Sequence, residues 1–187
     1  MYDTSEFKKG LYIQIEGVPY QIVEFQHVKP GKGNAFVRTR IRNLFNSNVI
    51  DKTLKSGEKV DEPALEHKRM QYLYRDANGF QFMDLDSYEQ TALDPQAMVD
   101  QKSYLTENLE IEVLYFQGRP ITVEFPNFIE VRVKETEPGG KGDTVTGGSK
   151  PAILTTGLSV QVPFHIKVND LLKIDTRSGE YVEKLKG

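Results

Sequence analysis

A period of two narrows the fold of this chain more than any other feature. In Val37-Arg38-Thr39-Arg40-Ile41-Arg42 and in Ile129-Glu130-Val131-Arg132-Val133-Lys134, every second residue is charged and the rest are apolar or Thr39. Successive side chains of a strand point to opposite faces, so each run offers one face to a core and one to solvent. Turn signals recur between such runs, at Gly17-Val18-Pro19, Asn46-Ser47-Asn48, Asp76-Ala77-Asn78-Gly79, Gln117-Gly118-Arg119-Pro120 and Arg177-Ser178-Gly179-Glu180. The Asn-Gly pair is a strong short-range hairpin signal. No long helical period occurs anywhere. Asp94-Pro95 opens one short helical candidate over 96–101, with Pro at a suitable first position. Many short strands with tight turns predict an all-β chain of three consecutive small β-barrels, spanning 1–63, 64–127 and 128–187. The charged segment from Lys55 to Glu62, ending at Pro63, is expected to be the end of the first small β-barrel and a linker.

Ten Phe and nine Tyr among 187 residues supply enough apolar bulk for real cores. The absence of Cys excludes a disulfide framework, a thiol nucleophile and a zinc ribbon, and it fits a reducing compartment. The N-terminus carries no apolar stretch of the signal-peptide kind, and no apolar run reaches the length of a membrane span. The expectation is a cytoplasmic monomer without membrane contact. The net charge of -3 is unevenly spread. Residues 1–63 carry 10 basic and 8 acidic side chains, 64–127 carry 5 and 11, and 128–187 carry 9 and 8. The acidity is confined to the middle third, so the outer thirds remain suited to a polyanion.

One loop stands apart chemically. Lys29-Pro30-Gly31-Lys32-Gly33-Asn34-Ala35 lies between the strand-like runs 21–28 and 36–42. Pro30 cannot donate to a ladder, and Gly31, Gly33 and Asn34 tolerate positive φ, so the segment reads as the tip of a hairpin. Lys32 stands between two residues without side chains. Its ammonium is therefore uncrowded. An ordinary solvated turn has the same composition, and the loop alone does not decide between the two readings. Behind it, Arg38, Arg40 and Arg42 share one strand face, a surface suited to phosphate oxygens. A solvated strand face, which also discourages edge pairing, is the competing explanation.

Catalytic and metal constellations are not evident. His27, His67 and His165 are far apart in sequence, and none has a metal-ligand spacing. Asp84-Leu85-Asp86 puts two carboxylates on one face of a strand, which could serve acid–base chemistry. The Gly-rich run from Pro138 to Lys150 resembles a phosphate loop only superficially. A phosphate loop leads into a helix, whereas Ser149-Lys150-Pro151 leads into a strand. No catalytic residue, metal ligand or cofactor is assigned.

With these residues in view, the chain resembles the bacterial elongation factor P family along its whole length. The resemblance rests on Val28-Lys29-Pro30-Gly31-Lys32-Gly33-Asn34-Ala35-Phe36, on Tyr72-Leu73-Tyr74 with Phe80 through Met83, and above all on the last third. There, Pro138-Gly139-Gly140-Lys141-Gly142-Asp143-Thr144 precedes Lys150-Pro151-Ala152, Gly157, Val160, Val162, Pro163 and Ile166. Asp175-Thr176-Arg177-Ser178-Gly179-Glu180-Tyr181 follows. One position departs: the family has Gly where this chain has Asn169. Asn tolerates positive φ next best, so the turn is expected to persist.

The resemblance implies an SH3-like (KOW-like) barrel followed by two barrels of the oligonucleotide-binding (OB) type, in an L-shaped, tRNA-like arrangement. It implies a non-enzymatic translation factor that binds the ribosome between the peptidyl and exit sites, beside peptidyl-tRNA, and relieves stalling at consecutive prolines. Lys32 matches a tip lysine that a modifying enzyme extends in many members, with β-lysine, an aminopentanol-type group or no group as the alternatives. Lys29, Pro30, Gly31, Lys32, Gly33, Asn34, Arg38, Arg40 and Arg42 would contact peptidyl-tRNA or ribosomal RNA. Gly142, Asp143 and Thr144 would lie near the small subunit and the exit-site codon. A general single-stranded RNA binder with aromatic stacking platforms is the alternative reading. The related initiation-factor-5A type is usually shorter by one domain.

Overall fold

The structure is a computed structural model and describes residues 1–98, 101–139 and 148–187. Antiparallel sheets dominate it. Strands β1 (Tyr2–Asp3), β2 (Tyr12–Ile15), β3 (Val18–Val28), β4 (Phe36–Asn43), β5 (Val49–Lys55) and β6 (Lys59–Val60) come first. Strands β2-β3-β4-β5 form one sheet in that order, and β1 pairs with β6. Strands β7 (Leu65–Asp76), β8 (Gly79–Asp84), β9 (Gln90–Leu93), β10 (Glu110–Phe116) and β11 (Arg119–Glu124) follow, arranged as β11-β10-β7-β8-β9. Finally β12 (Phe128–Thr136), β13 (Ser149–Leu154), β14 (Ser159–Pro163), β15 (Leu171–Asp175) and β16 (Glu180–Leu185) pair as β14-β13-β12-β15-β16. Among the described residues no helix is long and apolar enough to cross a membrane.

The chain divides into two compact units. One comprises Met1–Lys68, Leu93–Val99 and Val113–Val123, and the other Arg69–Ala92, Asp100–Glu112 and Glu124–Gly187. In the first unit, Phe7, Ile13, Ile22, Val37, Ile41, Leu54 and Val60 form a buried cluster. A second cluster there joins Leu44, Phe116 and Ile121, with Phe45 against Phe116 at 5.8 Å. In the second unit the inward residues of β12 through β15 pack together. Ile129, Val131 and Val133 meet Ala152, Leu154, Val160, Val162, Leu172 and Ile174. The period of two is thus realised as burial: β12 alternates exposed and buried from Phe128 through Lys134.

Several local expectations change for identifiable reasons. The turn expected at Gly17-Val18-Pro19 is Glu16-Gly17, with φ of 51° and 77°, and Ile15 faces Val18 across it. Both central residues at positive φ suit a two-residue hairpin. Gln117-Gly118 does the same, with φ of 51° and 78°. Pro19 and Pro120 therefore fall inside strands. Each lies near its strand's start, where a missing N–H is tolerated, and the Pro19 carbonyl accepts a hydrogen bond from Leu44 at 3.0 Å. The helical candidate is realised as short 3-10 turns, Pro95–Met98 and Lys102–Tyr104. Asp94 starts the first by accepting the Gln96 N–H at 2.8 Å. The segment expected to end the first barrel carries β6: Val60 is buried, and Asp61 bridges to Gln14. Asp84 and Asp86 do not share a strand face. The strand ends at Asp84, whose Oδ1 accepts the N–H groups of Asp86 at 2.8 Å and Ser87 at 3.1 Å. Asp84 closes a turn, and the proposed carboxylate pair dissolves.

The Asn169 expectation is borne out. Asn169 has a φ of 73° in the turn from Lys167 to Asp170, which closes with the Asp170 N–H on the Lys167 carbonyl at 3.1 Å. Asn169→Gly is expected to change unfolding stability by less than about 0.5 kcal/mol, whereas Asn169→Ala costs about 1–2 kcal/mol, read from urea denaturation. Asp170 in the same turn accepts the Lys167 N–H at 2.8 Å and pairs with Lys184 at 3.4 Å. The Lys167 hydrogen bond first, then Lys184, hold its carboxyl below the ordinary range. A group with a depressed folded pKa adds stability above its unfolded value, and that stability is lost as pH falls through the folded value. Asp170→Asn should therefore flatten the acid limb of a stability profile below the ordinary carboxylate range, measured from denaturation midpoints at a series of pH values.

Candidate functional site: the tip loop and the arginine face

The candidate site is built on the β3–β4 hairpin. The two strands pair from Tyr20 opposite Asn43 to Val28 opposite Phe36, so residues 29–35 form its tip. The loop is anchored at its base, where the Ala35 carbonyl accepts the Ser56 N–H at 3.1 Å. Lys29, Gly31, Lys32, Gly33 and Asn34 are exposed, and Pro30 is half-buried. A methyl group placed on Gly31 or Gly33 would meet no atom within 4 Å. Their lack of side chains is therefore not a packing requirement. Gly33 has a φ of 94°, which a side chain resists, and Gly31 leaves the approach to Lys32 open.

Strand β4 places Val37, Thr39 and Ile41 inward, none more than 3% exposed. Thr39 satisfies its hydroxyl by donating to the Lys52 carbonyl at 2.6 Å. Arg38 and Arg40 are exposed on the other face and Arg42 is partly covered. The structure takes edge protection out of the competing explanation and leaves a solvated strand face, because β4 is paired on both sides, to β3 and to β5. An interior strand has no free edge to protect.

The face is not purely cationic, however. Register places Glu24 on one side of Arg40 and Asp51 on the other. Arg40 Nε lies 3.5 Å from Asp51 Oδ1, both side chains being more than half exposed. Arg38 lies over the Phe36 ring, 5.5 Å from its centre. Glu24, Gln26, Arg38, Arg40, Asp51 and Lys52 line a shallow groove of about 760 Å³. Two carboxylates and three cations thus face the same space. Glu24 and Asp51 are contributions that sequence reasoning missed. The signal for Asp51 was present: once β5 is paired to β4 through the Asn46-Ser47-Asn48 turn, counting the register puts Asp51 opposite Arg40.

The hairpin brings the tip residues and the arginine face into one compact unit. Gly142, Asp143 and Thr144 lie outside the described residues. His27 sits in β3 with its ring edge-on to Phe25 at 5.7 Å.

Comparison with known proteins covers nearly the whole chain. Residues 3–60 match the family model described as the elongation factor P KOW-like domain, 65–123 the elongation factor P OB domain, and 122–184 the elongation factor P C-terminal domain. A protein of Pelotomaculum thermopropionicum named elongation factor P is 51% identical over 99% of this chain and 100% of its own length. One of Thermodesulfovibrio yellowstonii with the same name is 50% identical over the full length of both. A solved structure of initiation factor 5A from Methanococcus jannaschii covers 66% of this chain and 93% of its own, with 26% identity and a TM-score of 0.49. Three consecutive domain matches and full-length identity near one half show that this chain, an all-β protein with KOW-like and OB domains, belongs to the elongation factor P family of translation factors.

Proposed function

We propose that this chain binds the ribosome between the peptidyl and exit sites, beside peptidyl-tRNA, and promotes peptide bond formation at consecutive prolines through the Lys32 loop. The observation that carries this reading is the open surrounding of Lys32, an ammonium at the tip of a long, core-anchored hairpin between two uncrowded glycines. Proline's fixed φ and missing N–H restrict a nascent chain. A protein that holds the acceptor end of peptidyl-tRNA in a reactive geometry lowers the entropic part of that barrier without supplying chemistry. Lys32 enters a narrow RNA crevice, Lys29, Pro30, Gly31, Gly33 and Asn34 line the approach, and Arg38, Arg40 and Arg42 hold the hairpin's base on phosphates. Gly142, Asp143 and Thr144 approach the small subunit near the exit-site codon. A modifying enzyme that extends the Lys32 ammonium lengthens the same reach, and intact-mass analysis of the protein from its own host reads the extension. The chain is divided into three modules near 63 and 127, a reading supported in its number of modules by the three domain matches over 3–60, 65–123 and 122–184.

The alternative, a general single-stranded RNA binder, needs free aromatic faces. Cations already stand over two of the rings it would use. Arg38 covers Phe36, and Lys173 and Arg177 lie 4.6 Å and 5.3 Å from the centre of Phe128. Weak binding to naked RNA oligomers and firm binding to ribosomes are the expected pair of results.

Lys32→Ala should reduce relief of stalling on a triple-proline reporter by at least about tenfold in a purified translation system, with the fold unchanged. Equal relief by both proteins would sink the reading. On the arginine face, Arg38→Ala should weaken ribosome binding and lower its salt slope by about one. Asp51→Asn releases Arg40 from its carboxylate partner and should tighten binding by about two- to fivefold, the range of an exposed ion pair. Both are read from binding titrations at several salt concentrations.

A further inference from the structure

The Lys32 loop meets one end of β4, and the other end of that strand is fastened by a separate set of contacts. Strand β4 has eight residues, which at about 3.3 Å each make a strut of roughly 25 Å. Phe36 begins it beside the tip loop, and Leu44 and Phe45 follow Asn43 at its far end. Pairing to β3 and to β5 stiffens it along this length.

The turn after β4 is a built plug rather than a slack connector. Asn43 Oδ1 accepts the Phe45 N–H at 2.8 Å, the Asn43 carbonyl accepts the Ser47 N–H at 2.8 Å, and Asn46 Oδ1 accepts the Asn48 N–H at 2.9 Å. With its main chain satisfied locally, the turn holds its two apolar side chains in fixed directions. Leu44 is buried with Phe116 and Ile121 of the β10–β11 hairpin. The Phe45 ring lies 5.8 Å from the Phe116 ring, and the Arg119 guanidinium stands over it at 5.1 Å. Ser47 Oγ donates to the Gln96 carbonyl at 2.7 Å. All of these residues belong to the first compact unit. Their cluster is separate from that of Ile13, Ile22 and Ile41 inside the β2–β5 sheet. The joint is thus separable from the packing that folds the sheet.

We propose that Phe45 is a positioning residue for Lys32: held by Phe116 and Arg119, it sets the direction of the β4 strut from the β10–β11 hairpin, and so the place where the tip ammonium stands. The inference rests on the reading that the Lys32 loop acts beside peptidyl-tRNA. A tilt at the Phe45 end is carried along the paired strand to the tip, and a misplacement of about 1 Å at a reacting centre costs up to about a hundredfold in rate. Contacts made elsewhere on the chain still hold the protein on the ribosome when the joint is loosened. The joint therefore acts on the rate at saturation more than on affinity.

The test follows relief of triple-proline stalling by the full chain in a purified translation system. It reads the rate at saturating protein and the concentration that gives half of it. Phe45→Ala should lower the saturated rate by about tenfold and raise the half-maximal concentration by less than about threefold. Phe45→Leu keeps an apolar plug against Phe116 and should hold the rate within about twofold of the parent. Arg119→Ala removes only the exposed cation over the ring and should lower the saturated rate by about two- to threefold, with Arg119→Lys restoring it. This pair carries the test if Phe45→Ala fails to fold. Neither alanine substitution should lower the rate further in a Lys32→Ala background, because both act through the tip. A merely structural cluster would lower unfolding stability and leave the saturated rate of the folded protein alone. Full relief by Lys32→Ala overturns the reading of the loop, and the role of the joint with it. An effective Lys32→Ala overturns the positioning role alone if every folded joint variant keeps the full saturated rate, or if the joint effects persist undiminished in the Lys32→Ala background.

Discussion

Burial of one face of β4 sets most of what the first unit can do. Val37, Thr39 and Ile41 have almost no exposure, while their neighbours Arg38 and Arg40 face solvent. A slip of one residue in pairing would drive guanidinium groups into the cluster of Phe7, Ile13, Ile22, Leu54 and Val60. The cost of burying an unpaired charge makes that slip prohibitive. The register is therefore fixed, and with it the pairing of Val28 with Phe36 that defines the tip. The position of Lys32 is in this sense a consequence of three buried side chains on the strand that leaves the loop.

The same register explains why an arginine stripe on this chain is not a simple phosphate trap. Glu24 and Asp51 enter the face from β3 and β5 because each strand contributes the residue directly opposite Arg40. In water their exposed pairing is weak, so it opposes a partner that brings only a few phosphates and yields to one that brings many contacts at once. On the proposed reading, this balance would favour a large, shaped RNA surface over bulk RNA, because only many simultaneous contacts displace the internal carboxylates.

Legibility in the sequence followed the range of the interaction. Strands, their inward residues and the β3–β4 tip were readable because a period of two and the turn residues are local. The positive φ of Asn169 was readable because Asn is among the few side chains that tolerate it. What failed was decided by neighbours distant in sequence. The strand at Lys59 and Val60 was not legible, because nothing local shows that these residues pair with Asp3 and Tyr2. Asp84 and Asp86 appeared to be a pair because alternation was continued past the strand's last residue, where the Asp84 carboxylate turns to accept main-chain N–H groups. The burial of Lys150 is only partly legible. Its phase with Ala152 and Leu154 already pointed it inward, but the carbonyls that receive its ammonium belong to two other segments.

The two glycine-rich segments show how little composition says about the reason for a glycine. Around Lys32 the glycines sit in open space, and Gly33 is needed for its backbone conformation. At Gly139 and Gly148 there is no room for a side chain, because Phe164 occupies the place where it would stand. The first arrangement leaves a cation free to approach a partner. The second lets the backbone at Gly139 and Gly148 pack closely against Phe164. In sequence both are runs of Gly, Pro and Lys, and composition does not tell them apart. The difference lies in what surrounds the missing Cβ: open space at Gly31 and Gly33, and the main chain and ring of Phe164 at Gly139 and Gly148.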